Sequence, residues 1–154
     1  MPEAVIAIED PRAADVRELL EAHLAFARAS SPPCAVHALE LDGLAGPGVT
    51  FFTCRRGGEL LSVAALRELD RCHAEIKSMH TAREARGQGV GRAMVEHLLE
   101  CARQRGYERV SLETGSQDAF APARALYAQA GFQVCEAFGD YAPSEHSAFM
   151  TLVL

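Results

Sequence analysis

Apolar residues near the start of the chain predict a strand followed by an amphipathic helix. Residues 4–8 form a short apolar run that fits an opening strand. Asp10 and Pro11 then interrupt this run and predict the start of a helix, with Asp10 as its cap. Apolar positions at helical spacing follow and predict one buried face: Val16, Leu19, Leu20, His23, Leu24 and Ala27. We interpret His23 as a histidine packed at the edge of the core, because the sequence shows no partner for it.

The middle of the chain predicts an antiparallel meander. Serines and prolines at residues 30–33 end the first helix, and residues 36–45 predict a second, short helix. Strands are predicted over residues 49–55, 59–69 and 73–81. Gly57 and Gly58 form a hairpin turn, and strands joined by so few residues pair antiparallel. No linker interrupts this part, and we therefore expect a single domain over residues 1–154.

The second half of the chain predicts a strand–helix–strand unit and two closing strands. Apolar positions between Val90 and Ala102 give a helix a core-facing stripe, and Gly106 ends that helix. Pro122 predicts the first turn of another helix, which ends at Gly131. Strands are predicted over residues 109–113, 132–138 and 148–154. A strand–helix–strand order implies a right-handed crossover, so two neighbouring strands of the sheet should be parallel.

Composition narrows the classes of function. The 154 residues are 49% hydrophobic, which is enough for one domain with a real core. A net charge of −6 argues against a nucleic-acid binder that works by neutralising phosphates. No apolar run approaches the roughly 20 residues that a membrane span needs, and no basic-then-apolar signal opens the chain. We therefore expect no nucleic-acid partner and no membrane partner.

Cysteine and histidine spacing predicts neither disulfides nor a metal site. The five cysteines are an odd, scattered set without a CxxC motif, and we interpret them as reduced thiols of a cytoplasmic protein. Cys72, His73 and His80 lack the spacing of zinc ligands. The sequence therefore predicts no bound metal.

A glycine-rich turn after the third strand of the meander predicts an anion site. The segment Arg86-Gly87-Gln88-Gly89-Val90-Gly91 lies where the loop becomes a helix. Glycines let the backbone approach a ligand closely, and the first helical turn offers unpaired N–H groups at a positive dipole end. Arg92 stands where a dinucleotide fingerprint needs a third glycine, and no Gly-Lys-Ser/Thr follows to make a P-loop. A pyrophosphate is the best-fitting anion.

A second motif follows about forty residues later, and the two motifs together resemble the pattern of a known family. Leu126-Tyr127-Ala-Gln-Ala-Gly131-Phe132 comes after the Arg86-x-x-Gly89-x-Gly91 loop, separated from it by a helix and a strand. Two motifs at this separation and in this context resemble the GNAT superfamily of acetyl-CoA-dependent N-acetyltransferases. The resemblance covers residues 60–154 well and the N-terminal half only by the order of its elements.

The resemblance implies an α/β (α+β) fold with a bound acetyl-CoA co-substrate. The fold expected is a mixed, mostly antiparallel sheet of about six to seven strands flanked by about four helices. Its one parallel pair should splay apart between residues 75–81 and 109–113 and admit the pantetheine arm. The implied cofactor-binding residues are Met79, His80 and Thr81 along the pantetheine, and Arg86, Gly87, Gln88, Gly89, Val90, Gly91 and Arg92 around the pyrophosphate.

One position departs from the family pattern. Many relatives carry an asparagine seven residues before the tyrosine, where this chain has Phe120. The asparagine contact to CoA should therefore be absent, or be supplied by Ser116 or Gln117.

Acyl transfer requires a base and an acid. An acceptor amine with a free pKa of about 10 must lose a proton before it attacks the thioester. A departing thiolate, from a thiol of pKa about 8.5, leaves more easily when a nearby acid protonates it. By resemblance Tyr127 is the acid. Glu75 is the predicted base, directly or through water, with Glu113 as the second choice. Side chains two apart share a strand face, so Glu75, Lys77 and Met79 should point the same way.

The predicted reaction is direct attack by a primary amine of a small molecule in a ternary complex, since no cysteine has a visible paired base. A non-catalytic domain that binds and senses acyl-CoA is the alternative, and a nucleotide-phosphate enzyme is a third. The acceptor pocket should draw on residues 30–45 and 138–147, where Tyr141, Glu145 and His146 are candidates in a loop that is polar and exposed by default. The sequence leaves a homodimer open.

Overall fold

A seven-stranded sheet organises the part of the chain that the computed structural model describes, residues 3–31 and 41–154. The strands are β1 (Ala4–Ile8), β2 (Val49–Arg56), β3 (Glu59–Glu68), β4 (His73–Thr81), β5 (Arg109–Gly115), β6 (Gln133–Cys135) and β7 (Ser147–Val153). Their order across the sheet is β1-β2-β3-β4-β5-β7-β6. Among these strands β4 and β5 are the one parallel pair and all other neighbours are antiparallel. The predicted mixed sheet is confirmed.

Helices cover both faces of this sheet. They are α1 (Ala14–Ser30), α2 (Leu41–Leu44), α3 (Val90–Gln104) and α4 (Ala121–Gln129). On β3, Val63 and Ala65 pack with Val16 of α1, whereas Ala64 and Leu66 belong to the core around α3 and α4. Because successive strand residues point to opposite faces, the sheet separates two layers. We call them the α1 face and the α3 face.

The first helix begins later than predicted. The side chain of Asp10 accepts a hydrogen bond of 2.9 Å from the backbone N–H of Arg12, which closes a turn ahead of the helix. The helix proper starts at Ala14, and Ala13 precedes it without a side-chain cap. Aspartate thus stabilises the turn that its short side chain can close locally, rather than the helix end. Of the predicted second helix, residues 36–40 lie outside the described residues.

Two predicted strands have different lengths in the structure. β5 continues two residues past its predicted end, to Gly115, because β7 pairs with it as far as Ser147. The strand predicted over residues 132–138 is wrong beyond Cys135. There the chain turns so that Phe138 packs at 5.2 Å from Tyr141 and 5.8 Å from Phe149, measured between ring centroids. Burial of this aromatic ring outweighs further pairing at the edge of the sheet.

The parallel pair separates part-way along its length. β4 and β5 pair from His73 opposite Arg109 to Ile76 opposite Leu112. Beyond that point β4 stays paired with β3 as far as Thr81, and β5 stays paired with β7 as far as Gly115. Each strand follows its outer neighbour, and a cleft opens between them at their carboxyl ends.

A bulge in β4 changes which side chains face this cleft. Ala65 pairs with Lys77 and Val63 with His80, so one extra residue enters β4 between the two pairs. Ser78 lies there with a φ of 53°, which is rare for a residue other than glycine. The expectation that Met79 shares a face with Glu75 and Lys77 is therefore wrong. His80 takes that place on the α1 face, and Met79 packs with the core on the α3 face.

Candidate active site

A cavity of about 690 Å³ occupies the cleft between β4 and β5. Its lining combines the end of β4, the loop before α3, the end of β5 and the start of α4, with α1 on one side. Most of the predicted site residues therefore line one space: Met79, His80, Thr81, Arg86, Gly87, Gly89, Val90, Gly91, Arg92 and Tyr127. Gln88 and Glu75 are not among the described residues that line it.

The glycine-rich loop has the backbone geometry of an anion site. Gly87 and Gly89 have φ values of 77° and 79°, which side chains with a Cβ rarely adopt, and Gly89 is the residue before α3. A Cβ on Gly91 would lie 3.1 Å from the side chain of Leu126, so this glycine lets α3 and α4 approach each other. The loop thus presents the free N–H groups of the first turn of α3 to the cavity. Arg86 and Arg92 add positive charge at its rim.

We expect Gly89→Val to weaken acetyl-CoA binding by about tenfold or more. A β-branched residue at this φ costs roughly 1–3 kcal/mol, which relaxes the loop away from the conformation that aims its amides. Calorimetric titration with acetyl-CoA measures the change in affinity. Gly58→Val is the matched control, because Gly58 also has a positive φ, 84°, with open space around it, in the hairpin turn away from the cavity. Equal affinity in folded Gly89→Val and wild type would contradict the loop assignment.

Tyr127 reaches the cavity from the α3 face. Its ring is buried in the core, 5.8 Å from the ring of Phe132, and burial raises the pKa of its hydroxyl. No group in the described part of the chain forms a hydrogen bond with this hydroxyl, although the residue lines the cavity. Because Tyr127 lines the cavity, its hydroxyl can form a hydrogen bond with a ligand in the cleft. The raised pKa keeps Tyr127 protonated, as a proton donor must be.

Glu75 lies in a buried polar cluster. Only 1% of the residue is exposed, and its Oε2 accepts a hydrogen bond of 2.6 Å from the hydroxyl of Tyr141. The Nζ of Lys77 donates to the same hydroxyl at 2.7 Å and lies 3.7 Å from Glu75 Oε2. Tyr141 thereby joins the loop before β7 to β4. This arrangement holds Glu75 in place and keeps its carboxylate away from the cavity.

Glu113 is the carboxylate that reaches the cavity. It follows Leu112 on β5 and points to the α1 face, opposite Phe149. Among the described residues that line the cavity it is the one acidic side chain. Burial raises its pKa to about 7, against the smaller opposing effects of Ser147 and Lys77. A carboxylate with this pKa exchanges protons readily near neutral pH.

His23 and His80 meet across the α1 face. His23 on α1 and His80 on β4 place their Nδ1 atoms 3.2 Å apart. Both residues line the cavity, and Phe26 of α1 lies beside them, 6.4 Å from the His80 ring. His23 therefore has the partner that the sequence did not show. The contact joins residues 57 positions apart, so no local pattern indicates it.

Phe120 lies over the end of β5 at the position where the family pattern has asparagine. Its ring packs 5.2 Å from Phe26, and a Cβ on Gly115 would overlap the ring. The Ser116 hydroxyl donates to the backbone carbonyl of Glu145 and is therefore engaged. The side-chain amide of Gln117 is buried, has no hydrogen-bond partner in the described part of the chain and does not line the cavity. Neither residue presents a polar group where the asparagine would.

Gly115→Ala should destabilise the protein by about 1–3 kcal/mol, because the added methyl group overpacks the site under Phe120. Denaturant unfolding measures the loss. The double variant Gly115→Ala/Phe120→Ala tests the part of the loss that the ring causes, since removal of the ring relieves its contact with the methyl group, although Gln117 Oε1 still lies 2.5 Å from the methyl position. The double variant should lose less than the sum of the two single losses, and strict additivity would show that the two side chains do not conflict.

Comparison with known proteins decides the family. The profile of the Acetyltransferase (GNAT) family matches residues 16–132. The chain belongs to this family. The Uncharacterized N-acetyltransferase YsnE of Bacillus subtilis (strain 168) is 47% identical over 95% of this chain and 97% of the relative. The IAA acetyltransferase of Azospirillum brasilense is 33% identical over 97% of both chains.

A solved structure shows the same fold. The GNAT family acetyltransferase from Elizabethkingia anophelis, which has acetyl-CoA bound, superposes with a TM-score of 0.73 over 98% of both chains at 17% identity. The protein is thus a GNAT N-acetyltransferase, and its family supports acetyl-CoA-dependent acetyl transfer.

The predicted acceptor loop of this GNAT enzyme contributes one residue to the polar cluster. Tyr141 binds Glu75, as described above. His146 and the largely exposed Glu145 lie 3.5 Å apart at the surface, and neither lines the cavity. Within residues 3–31 and 41–154, no helix is long and apolar enough to cross a membrane, and no group of three or more metal-ligating side chains is present.

Proposed function

We propose that this GNAT enzyme moves the acetyl group of acetyl-CoA to a primary amine of a small molecule by direct attack in a ternary complex, with residues 1–154 as one catalytic domain. One observation carries the proposal: a single cavity joins an anion-binding loop, a protonated tyrosine and a carboxylate of pKa about 7. These are the three groups that acyl transfer from a thioester to an amine needs.

The cavity suits the co-substrate along its length. Backbone groups of Met79, His80 and Thr81 would hold the pantetheine arm, where β4 has lost its parallel neighbour. The amides from Gly87 to Arg92, including that of Gln88, would hold the pyrophosphate with help from Arg86. Two phosphate groups that enter here meet local positive charge on a protein of net charge −6. The chemistry requires no metal.

The carboxylates of Glu75 and Glu113 have different roles in the proposed reaction. The sequence predicts Glu75 as the base, but its burial and its hydrogen bond with Tyr141 favour a role in positioning. Glu113 faces the cavity and would take the proton of the incoming ammonium. The amine then attacks the thioester carbonyl, the C–S bond breaks, and Tyr127 protonates the departing thiolate. The nitrogen loses its second proton as the amide forms, and this proton returns to the Tyr127 oxygen through solvent, so the net products are the N-acetyl amine, CoA thiol and one proton on Glu113. No cysteine is among the described residues that line the cavity, which supports direct attack over an acyl-cysteine.

The name of one relative suggests a further candidate acceptor for this enzyme. The relative from Azospirillum brasilense is an IAA acetyltransferase by name, and it matches nearly the whole of this chain. We include IAA beside primary amines as an acceptor for this enzyme. We also propose that the protein works in the cytoplasm, where its five thiols stay reduced.

Thermal-shift titration separates the proposal from the other candidate classes. Acetyl-CoA and CoA should raise the melting temperature, because a ligand that binds only the folded state stabilises it. ATP and NAD should raise it much less. Stabilisation by ATP or NAD alone would favour a nucleotide enzyme. Stabilisation by acetyl-CoA without turnover of any acceptor would favour a sensing domain.

A further inference from the structure

Four rings line the cavity on its α1 face. His80 near the end of β4 packs against His23 and Phe26 of α1, with ring centroids 5.1 Å and 6.4 Å away. Phe26 in turn packs 5.2 Å from Phe120, which follows β5 in the chain. All four residues are half-buried and line the cavity. The rings therefore connect the ends of β4 and β5 where these strands have separated, and we call the four residues the aromatic wall.

The aromatic wall adjoins the carboxylate that reaches the cavity. Gly115 lies two residues after Glu113 on β5, so both positions face the α1 side of the sheet. The space that a Cβ of Gly115 would take is occupied by the ring of Phe120. Phe120 therefore lies beside Glu113, one side-chain position further along β5. Tyr127 packs in the core of the α3 face, so an acceptor that reaches Glu113 from the opposite side has the aromatic wall next to it.

The aromatic wall carries no charge at neutral pH. Burial lowers the pKa of His23 and of His80 to about 4, so both imidazoles are neutral. Nearby cations act in the same direction, Lys77 on His23 and Arg86 on His80. The other two members are phenyl rings. The result is an uncharged surface with positive charge close to it.

The groups described around the aromatic wall leave a second charge on the acceptor uncompensated. Aromatic rings attract a second ammonium weakly, but Lys77 and Arg86 repel it. A carboxylate would meet Glu113, and the charge of Lys77 is already compensated by Glu75, whose Oε2 lies 3.7 Å from the Lys77 Nζ. In the proposed function Arg86 binds the pyrophosphate. Either ion would therefore lose hydration without a partner, whereas an apolar group is stabilised by leaving water.

We propose that the aromatic wall binds an apolar group of the acceptor while Glu113 takes the proton of its ammonium, so that the enzyme selects primary amines with an alkyl or aryl group and no second charge. The proposal rests on the proposed function and deepens it, because it names the class of amine. Phe120 distinguishes this chain within its family, since it stands where the family pattern has asparagine. A phenyl ring at this position replaces a polar group with apolar surface.

Three amines of equal chain length test this selection: pentylamine, 1,4-diaminobutane and 4-aminobutyrate. They differ at the far end, which is a methyl, an ammonium or a carboxylate group. Wild type should favour pentylamine over each of the other two by about 10- to 100-fold in kcat/KM. From ethylamine to pentylamine, kcat/KM should rise about threefold to fourfold per methylene, the effect of burying apolar surface. Equal kcat/KM for the three amines, or a preference for either ion, would overturn the proposal.

Variants assign the preference to the aromatic wall. Phe120→Asn should lower the preference for pentylamine by about tenfold, and Phe120→Leu, which keeps an apolar side chain, should retain most of it. Phe26→Asn should act like Phe120→Asn and replaces it if that variant does not fold. Phe138→Asn is the matched control, because Phe138 is also half-buried but packs against Tyr141 and does not line the cavity. A full preference retained by folded Phe120→Asn or Phe26→Asn would overturn the proposal.

Binding measurements decide the matter even if no amine is acetylated, a result that would refute the proposed function but not the aromatic wall. With CoA present, calorimetry at several temperatures should show that pentylamine binds with a negative heat-capacity change and about tenfold or more tightly than 1,4-diaminobutane. In NMR spectra, pentylamine should shift the ring resonances of Phe26 and Phe120 but not those of Phe138. Unshifted resonances of Phe26 and Phe120, or equal affinities for the two amines, would overturn the proposal independently of turnover.

Discussion

Tyr127→Phe is expected to lower the turnover number by about 10²–10⁴-fold, the usual worth of general acid catalysis. The substitution keeps the ring and its contact with Phe132, so folding should change little. In the proposed reaction the hydroxyl protonates the sulfur as the C–S bond breaks, so its loss should raise mainly the free energy of the transition state. The Michaelis constant for acetyl-CoA should therefore change far less than the turnover number.

Steady-state kinetics with the best acceptor measures this effect. Tyr107→Phe is the matched control, because its hydroxyl donates to Glu68 at 2.9 Å and does not face the cavity. Because burial raises the pKa of this hydroxyl above its ordinary value, Tyr127 stays protonated between pH 5 and 9, and Tyr127→Phe should lower the turnover number by a similar factor throughout that range. Turnover within about twofold of wild type would return Tyr127 to a packing role.

Glu113→Gln is expected to have the second large effect on activity, and the dependence of kcat/KM on pH distinguishes this effect from others. The base works when deprotonated, and burial has raised its pKa to about 7. The wild-type rate should therefore fall as pH drops below about 7, and the variant should lose this limb together with about 10²–10⁴-fold in kcat/KM. Profiles of kcat/KM between pH 5 and 9, measured with an acceptor of constant charge in that range, provide the measurement.

Glu75→Gln distinguishes the two carboxylates. Glu75 is buried against Tyr141 and Lys77, so removing its charge leaves Lys77 poorly compensated and should cost about 3–5 kcal/mol of stability. The limb near pH 7 should persist in the folded fraction, because Glu113 is intact. Glu145→Gln at the exposed surface is the control for loss of one negative charge. A limb that disappears in Glu75→Gln and persists in Glu113→Gln would make Glu75 the base.

Local chemistry explains why the glycine-rich turn before α3 could be predicted from the sequence. Gly87 and Gly89 adopt a positive φ that few other residue types tolerate, and Gly89 is the residue directly before α3. Turn glycines and helix starts depend on residues that are adjacent in the sequence, so the sequence alone indicates them. The same holds for Pro122 in the first turn of α4 and for the stripe of apolar residues on α3.

The part of the cavity on the α1 face depends on contacts between distant residues, and those contacts could not be predicted from the sequence. The bulge at Ser78 exchanges Met79 for His80 on the α1 face, yet serine gives no local signal for a positive φ. His23 finds its partner 57 residues away, and Tyr141 reaches Glu75 across 66 residues. Periodicity shows which residues face inward but not which of them meet. A polar residue on an otherwise apolar helix face, such as His23, is the one indication in the sequence that such a contact exists.

Acetyl transfer itself is tested most directly by counting thiol against product. Isotopically labelled acetyl-CoA is mixed with the enzyme and each acceptor in turn, and free CoA thiol and labelled N-acetyl product are measured in the same sample. We predict acceptor-dependent thiol release matched one to one by N-acetylated product, and strongly reduced in Tyr127→Phe. Tight binding of acetyl-CoA with no thiol release above buffer for any amine or for IAA, or thiol release without acetylated product, would contradict it.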